Sequence, residues 1–156
     1  MVDNTSHIID IPSRDTRGEV ALGHGVSLEW VNEGRIAVFR MGKPTREAVD
    51  LFVDVQIAVI KQWNDTEPFA FVSDGTHPDF SMTPYMRNRF PDIGNTMSDK
   101  SMRSYAVVLL RKNLVGTMIL YFGNRFHRKA GDMDLKYLSS LDEALEWLGE
   151  KIASTR

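Results

Sequence analysis

The sequence predicts a single layered α/β domain, in which a mixed, mostly parallel sheet begins with an antiparallel hairpin and carries about four helices. Three observations predict this fold class. An alternating run and an apolar run flank a short glycine-containing turn near residue 33, which is typical of a hairpin. Strand patterns and amphipathic helix patterns then alternate three times, which is typical of parallel strands joined by helices. The last strand pattern leads directly into a terminal amphipathic helix.

The predicted hairpin comprises the segments 26–30 and 35–41. The first segment alternates apolar with polar residues, and the second is apolar enough to lie inside a sheet. Between them, the sequence Asn-Glu-Gly at 32–34 supplies a turn in which glycine can adopt a left-handed conformation. A further strand is predicted at 19–22, immediately before this hairpin.

A long helix is predicted at 44–62, because Pro44 suits a helix start and the segment is too long for an ordinary strand. Apolar residues cover most of its circumference, and polar residues such as Gln56 are expected on its wet side. The short apolar run 68–72 is predicted as a central parallel strand. We expect this strand to end in a loop that begins at Ser73.

The second half of the chain continues the alternation. A second helix is predicted to begin at Pro84 and to be broken by Pro91 and again by Gly94. A buried strand is predicted at 105–110, and a third helix is predicted to be capped by Asn113. The apolar stripe of that third helix comprises Leu114, Met118, Phe122 and Phe126.

The terminal unit consists of a strand at 133–138 and a helix that follows it. Met133, Leu135 and Tyr137 lie on one side of the strand pattern. Ser140, followed three residues later by Glu143, is a capping-box signature for the helix start. The apolar face of this helix comprises Leu141, Leu145, Leu148 and Ile152.

Composition limits the class of protein. At 156 residues, with 42% apolar and 26% charged residues, the chain fits one globular domain and fits neither a disordered chain nor a membrane protein. Its lack of cysteine excludes disulfides, a thiolate nucleophile and sulfur-ligated metals. The net charge of −2 makes nucleic acid an unlikely partner, although nine basic residues fall between positions 86 and 129.

Residues 1–17 are polar and show no apolar period, so we predict a flexible leader before a domain that spans 18–156. On this interpretation, removing the leader costs little stability. The segment does not have the basic start and apolar core of a signal peptide. No apolar run approaches the roughly 20 residues that span a bilayer. We therefore expect a cytoplasmic protein without a membrane span.

Residues 20–153 resemble the STAS-like (SpoIIAA-like) family. The resemblance is carried by the strand 106–110 and by the helix 141–148, which reads Leu-Asp-Glu-Ala-Leu-Glu-Trp-Leu. It implies a STAS-like α/β fold and a non-catalytic module that recognises a protein partner in signalling or regulation. Some relatives bind small ligands or lipids, which is the alternative that the resemblance implies. Antagonists of this family are phosphorylated in a D-S-S-G motif, and the corresponding segment 73–84 departs from that motif.

Asp74, His77 and Asp79 are the best catalytic candidates, because ligands of open α/β sheets bind outside the carboxyl ends of the strands. A histidine between two carboxylates can act as a general base. The alternative is that both aspartates form turns and His77 is solvated. Nucleotide-binding, nucleophile-elbow and zinc-protease motifs are absent and the four histidines are scattered, so we expect no metal and no cofactor.

Ser81 and Thr83 are candidate phosphorylation positions or contacts for a small anionic ligand. Pro84 suits the first turn of a helix, which places Thr83 at the cap. Amide hydrogens at a helix start attract anions, and Arg87 adds positive charge one turn further on. The alternative is that Thr83 is a helix cap and nothing more. The predicted partner- or ligand-binding set is Asp74, His77, Asp79, Ser81, Thr83, Met86 and Arg87.

Four of the eight methionines fall between positions 82 and 102. Methionine fills adaptable apolar grooves, so the segment 81–103 is a candidate lid over a pocket for a small molecule or lipid. This ligand binder is the runner-up to the partner-binding module, and an enzyme ranks third. A homodimer is a further alternative, with Trp147 as its candidate contact.

The three hypotheses predict different structures. A closed apolar cavity under 81–103 favours the ligand binder, whereas a flat or convex apolar patch favours a protein partner. A buried carboxylate that holds His77 within hydrogen-bond reach favours the enzyme.

Overall fold

The computed structural model describes residues 9–117 and 133–155. Six strands in this part of the chain form one sheet: β1 (Glu19–Gly23), β2 (Val26–Val31), β3 (Ile36–Arg40), β4 (Phe69–Gly75), β5 (Ser104–Leu110) and β6 (Met133–Leu138). The helices are α1 (Arg46–Gln62), α2 (Pro84–Arg89), α3 (Pro91–Ser98), α4, whose described part is 112–117, and α5 (Leu141–Ser154). The predicted α/β class, with a hairpin followed by strand–helix alternation, is confirmed.

Each strand of the sheet pairs with the next strand along the chain. The pairs β1–β2 and β2–β3 are antiparallel, and the three later pairs are parallel. Each new parallel strand is added to the same edge of the sheet. Right-handed crossovers therefore place the connecting helices on the same face of the sheet. Accordingly, α1 lies over β2 and β3, and α2 and α3 pack against α1. The terminal helix α5 covers the opposite face, against β4, β5 and β6.

Strand alternation divides the core between the two faces of the sheet. The cluster under α1, α2 and α3 includes Leu28, Trp30, Phe39, Phe52, Phe69, Phe71 and Met86. The cluster under α5 includes Ile36, Val38, Val72, Tyr105, Val107, Leu109 and Leu148. Both faces of β3, β4 and β5 are therefore buried, which explains why these strands read as continuous apolar runs.

The helix starts follow the local sequence closely. The Ser140 hydroxyl accepts a hydrogen bond from the Glu143 backbone N–H at 3.3 Å, which confirms the predicted cap of α5. At α1 the cap is Thr45, whose hydroxyl accepts from the Ala48 N–H at 3.1 Å. Pro44 lies one residue before this cap, so the helix begins two residues later than predicted.

The break predicted at Pro91 is confirmed, because α2 ends at Arg89 and a new helix begins at Pro91, where the first helical position needs no amide hydrogen. Two other predicted boundaries, at Gly94 and at Asn113, are wrong. Gly94 lies inside α3 and does not interrupt it. Asn113 is not a cap, since helical conformation already begins at residue 112. The rest of the predicted stripe of the third helix, at Met118, Phe122 and Phe126, lies outside the described residues.

The central strand β4 extends further than its apolar run. Ser73, Asp74 and Gly75 belong to it, because Ser73 and Asp74 pair with the strands on both sides and Gly75 pairs with β5. Arg40 of β3 lies opposite Asp74, and Leu110 of β5 lies opposite Gly75. The loop predicted at Ser73 therefore starts only after Gly75, and Asp74 lies within a paired strand.

Residues 9–17, the described part of the predicted leader, lie against the domain. The indole N–H of Trp30 donates to the Pro12 carbonyl at 2.9 Å, and Arg14 Nε donates to the Gly34 carbonyl at 2.7 Å. Gly34 has φ +75°, and a Cβ there would lie 2.7 Å from the Arg14 carbonyl oxygen. The close approach of the two segments therefore requires glycine at this position.

Candidate functional site

An apolar cavity of about 60 Å³ lies between the sheet and the helices α1 and α3. Alternate residues of three neighbouring parallel strands form its floor, as the period of a strand dictates. The floor residues are Phe71, Ser73 and Gly75 of β4, Ala106, Val108 and Leu110 of β5, and Met133, Leu135 and Tyr137 of β6. The other lining residues are Phe52, Gln56, Phe80, Met82, Phe90, Ile93, Gly94 and Met97.

Small residues among large ones leave this space open. Gly94 of α3 is buried, and a Cβ built on it would meet no other side chain within 4 Å among the described residues. Gly75 at the end of β4 is different, because a Cβ there would lie 2.9 Å from Cε1 of the Phe80 ring. Phe80 thus packs on bare backbone at one end of the cavity, while the space beside Gly94 stays unfilled.

Three polar side chains, those of Gln56, Ser73 and Tyr137, interrupt the apolar lining. Gln56 is only 1% exposed, and its Oε1 accepts a hydrogen bond from the Ser73 hydroxyl at 3.0 Å. The Nε2 of Gln56 and the hydroxyl of Tyr137 are both buried without a hydrogen-bond partner among the described residues. Burial raises the pKa of Tyr137 to about 12, so its hydroxyl is a neutral donor at physiological pH. The expectation that Gln56 lies on the wet side of α1 is wrong.

The methionine-rich segment forms part of the cavity and part of the core. Met82 and Met97 line the cavity, whereas Met86 and Met102 are buried in the cluster beneath α1.

The methionine-rich segment is also attached to α1 through charged groups. Arg89 of α2 donates to Asp54 of α1 at 2.6 Å, next to a hydrogen bond between Tyr85 and Asp50. The roof over the cavity is therefore held by polar contacts on its outer side.

The catalytic candidates make local contacts: His77 and Asp79 form a turn, and Asp74 lies near the end of β4. The carboxylate of Asp74 accepts hydrogen bonds from the backbone N–H and the hydroxyl of Thr76, and its other oxygen lies 3.5 Å from Arg40 Nε. The Nδ1 of His77 accepts from the Asp79 backbone N–H at 3.0 Å. The Asp79 carboxylate is 68% exposed and lies 4.0 Å from this histidine. The buried carboxylate that an enzymatic role for His77 requires is not found among the described residues.

The predicted residues around α2 separate into surface and core. The Thr83 hydroxyl accepts from the Met86 N–H at 3.2 Å, which confirms Thr83 as the helix cap. Ser81 and Arg87 are exposed beside it. Met86 is 0% exposed, so a partner at the surface cannot reach it, and its assignment to the binding set needs correction. The apolar character that suggested a contact residue reflects its place in the core.

Several of the basic residues counted in the sequence hold the structure together. Lys100 Nζ donates to the Trp63 carbonyl at 2.9 Å, and Arg111 Nη2 donates to the Phe80 carbonyl at 3.0 Å. In the described ranges no group of three or more histidine, aspartate or glutamate side chains is arranged to hold a metal ion. The helices of these ranges include none that is long and apolar enough to cross a membrane.

No family model matches the chain, and no curated protein or solved structure shows significant similarity to it. The resemblance to STAS-like domains therefore stays a prediction.

Proposed function

We propose that this protein binds a small apolar molecule in the cavity between the sheet and α3. The observation that carries the proposal is a cavity lined almost wholly by apolar side chains beneath the segment 81–103. Ligand pockets in proteins are mostly apolar, with a few polar groups that fix orientation, and this lining has that composition. The same observation favours a ligand binder over a protein-recognition surface, because the apolar lining is concave and neither flat nor convex.

The energetics of the empty cavity support this proposal. An unfilled apolar volume of about 60 Å³ costs on the order of 1.4 kcal/mol of stability at ~24 cal/mol per Å³. A ligand that fills the space recovers this free energy. Met82 and Met97 have flexible side chains that can change rotamer, so the cavity can admit molecules larger than its present volume.

A comparison of ligand content between the wild type and Gly94→Leu tests the proposal. Leucine at position 94 projects into the open space beside α3 and is a good helix former, so it should plug the cavity and keep the fold. Both proteins are purified from the native host, and their solvent extracts are compared by gas chromatography and mass spectrometry. We expect an apolar compound in the wild-type extract that is absent or strongly reduced for the variant.

Gly149→Leu in α5 is the matched control, since it makes the same change at a helix position far from the cavity lining. Its extract should match the wild type. Identical extracts from all three proteins would contradict the proposal. Circular dichroism and urea denaturation of each variant show whether the fold is kept.

Recognition of a protein partner, as in a STAS-like regulatory module, is the second proposal. It is supported by the exposed Ser81 and Arg87 on either side of the Thr83 cap. This surface lies at the start of α2 and is separate from the cavity lining, so the two functions can be tested independently.

A further inference from the structure

The cavity contains hydrogen-bonding capacity that the protein itself does not use. Gln56 Nε2 and the Tyr137 hydroxyl are buried without partners in the described part of the chain, and both residues line the cavity. A third such atom, Arg89 Nε, belongs to a side chain that is already paired with Asp54 outside the cavity. Burying an unpaired donor is costly, so two in one cavity call for an explanation.

The sheet register places Tyr137 at one end of a row of side chains and Ser73, the hydrogen-bond partner of Gln56, at the other end. Ser73 of β4 lies opposite Val108 of β5, which lies opposite Tyr137 of β6. Ser73 fixes the Gln56 amide from below through its hydrogen bond to Oε1, which leaves Nε2 as the free group. Adjacent strands are about 4.8 Å apart, so a molecule lying over Val108 has one donor on each side.

The lining also limits the charge of the occupant. None of the described lining residues is a lysine, arginine, histidine, aspartate or glutamate. An ionised ligand would therefore be buried without a counter-charge, which is strongly unfavourable. The described lining therefore favours a neutral ligand. An oxygen that accepts hydrogen bonds satisfies both free groups, since Gln56 Nε2 is a donor and the Tyr137 hydroxyl can donate as well as accept.

We propose that Gln56 and Tyr137 select a small neutral molecule with an apolar body and a carbonyl-type oxygen, such as a ketone, ester or amide. This inference rests on the proposed function, because it names the class of ligand that the same cavity takes. The hydrogen bonds from Nε2 and the phenol satisfy the two buried donors at the moment of binding.

Cyclopentanone and methylenecyclopentane are the probes that test the inference, because they share one ring and one shape and differ in having C=O or C=CH₂. Binding is measured by titration with the folded full chain. The wild type should bind the ketone about tenfold more tightly than the hydrocarbon, since one hydrogen bond to a buried donor is worth about one order of magnitude.

Tyr137→Phe and Gln56→Met each remove one donor and keep the volume of the side chain. Each variant should lower the preference for the ketone several-fold and leave binding of the hydrocarbon unchanged or improved. Tyr105→Phe is the matched control, because it removes a tyrosine hydroxyl on the opposite face of the sheet. That control should keep the wild-type preference.

The outcomes distinguish this inference from the function on which it rests. Equal binding of both probes by the wild type, unchanged in the two variants, would overturn the selection of a carbonyl and leave the apolar cavity as a binding site. Binding of neither probe would overturn both. A preference for the ketone that survives in Tyr137→Phe and Gln56→Met would also refute the assigned roles.

Discussion

Alanine at position 94 tests directly whether the space beside α3 is real. Gly94 is the fourth residue of the eight-residue helix α3 and is buried against the cavity. Replacing an interior helical glycine by alanine gains about 1 kcal/mol of helix propensity. The added methyl group enters open space and gains about 0.8 kcal/mol from burial. We therefore expect the free energy of unfolding to rise by about 1.5–2 kcal/mol.

Two matched substitutions separate the terms in this sum. Gly149 lies inside α5, where an added Cβ also meets nothing within 4 Å among the described residues. Gly149→Ala should therefore raise stability by the gain in helix propensity alone, about 1 kcal/mol. Gly75→Ala lies in the same cavity lining but brings the Cβ to 2.9 Å from Cε1 of Phe80. It should lower stability by about 1–3 kcal/mol through overpacking.

Urea denaturation followed by circular dichroism measures all three variants, with the m value as a check that the transition keeps its cooperativity. The reasoning is refuted if Gly94→Ala is less stable than the wild type, because the space for the methyl group would then be absent. It is also refuted if Gly75→Ala proves as stable as Gly94→Ala.

Three further predictions follow from other contacts. Tyr137→Phe should raise the free energy of unfolding at neutral pH by about 1 kcal/mol in urea denaturation, because it removes an unpaired buried hydroxyl. In the folded protein the pKa of Tyr137 is raised to about 12, so the unfolded chain releases the phenolic proton at lower pH. Between pH 10 and 12 the wild type should therefore lose about 1–2 kcal/mol of folding stability relative to Tyr137→Phe, after allowance for partial exposure of the ring. Arg14→Ala should lower the thermal midpoint, because Arg14 holds the Gly34 carbonyl and lies 4.2 Å over the Trp63 ring; an unchanged midpoint would restore the view of residues 1–17 as a dispensable leader. Thr83→Ala should cost about 1 kcal/mol of stability and Thr83→Asp nearly nothing, since aspartate keeps the cap. If Ser81→Asp combined with Thr83→Asp leaves partner pull-downs unchanged, control of partner binding by phosphorylation of Ser81 or Thr83 is excluded.

Local signals explain how much of the fold is predictable from the sequence. Caps such as Thr83 and Ser140 depend on neighbouring residues only, and the structure confirms both. The spacing of apolar residues is also a local signal. A period of two predicts the strands, and a period near 3.6 predicts the helices. The extension of β4 through Gly75 was not predictable in this way, because it depends on pairing with β3 and β5.

The cavity was less predictable than the fold. Its polar groups, Gln56 and Tyr137, come from a helix and a strand that are far apart in the chain, and neither residue type signals a site alone. Two signals were available: the methionine-rich segment 81–103, which predicted a lid over a pocket, and Gln56, a polar residue among the apolar positions of α1. Conversely, His77 and Asp79 attracted attention as reactive residue types, although their contacts are those of a turn.

Nuclear magnetic resonance of methionine methyl groups is the most direct test of the binding cavity. Met82, Met97 and Met133 line it, while Met41 and Met86 are buried elsewhere in the core and serve as internal references. The chain is labelled with ¹³C at the methionine methyl carbons and titrated with methylenecyclopentane. We predict saturable shifts of the first three signals, no shift of the two references, and no shift of any of these signals in Gly94→Leu. The absence of saturable shifts in the wild type, or equal shifts at all five positions, would contradict a ligand-binding cavity at this place.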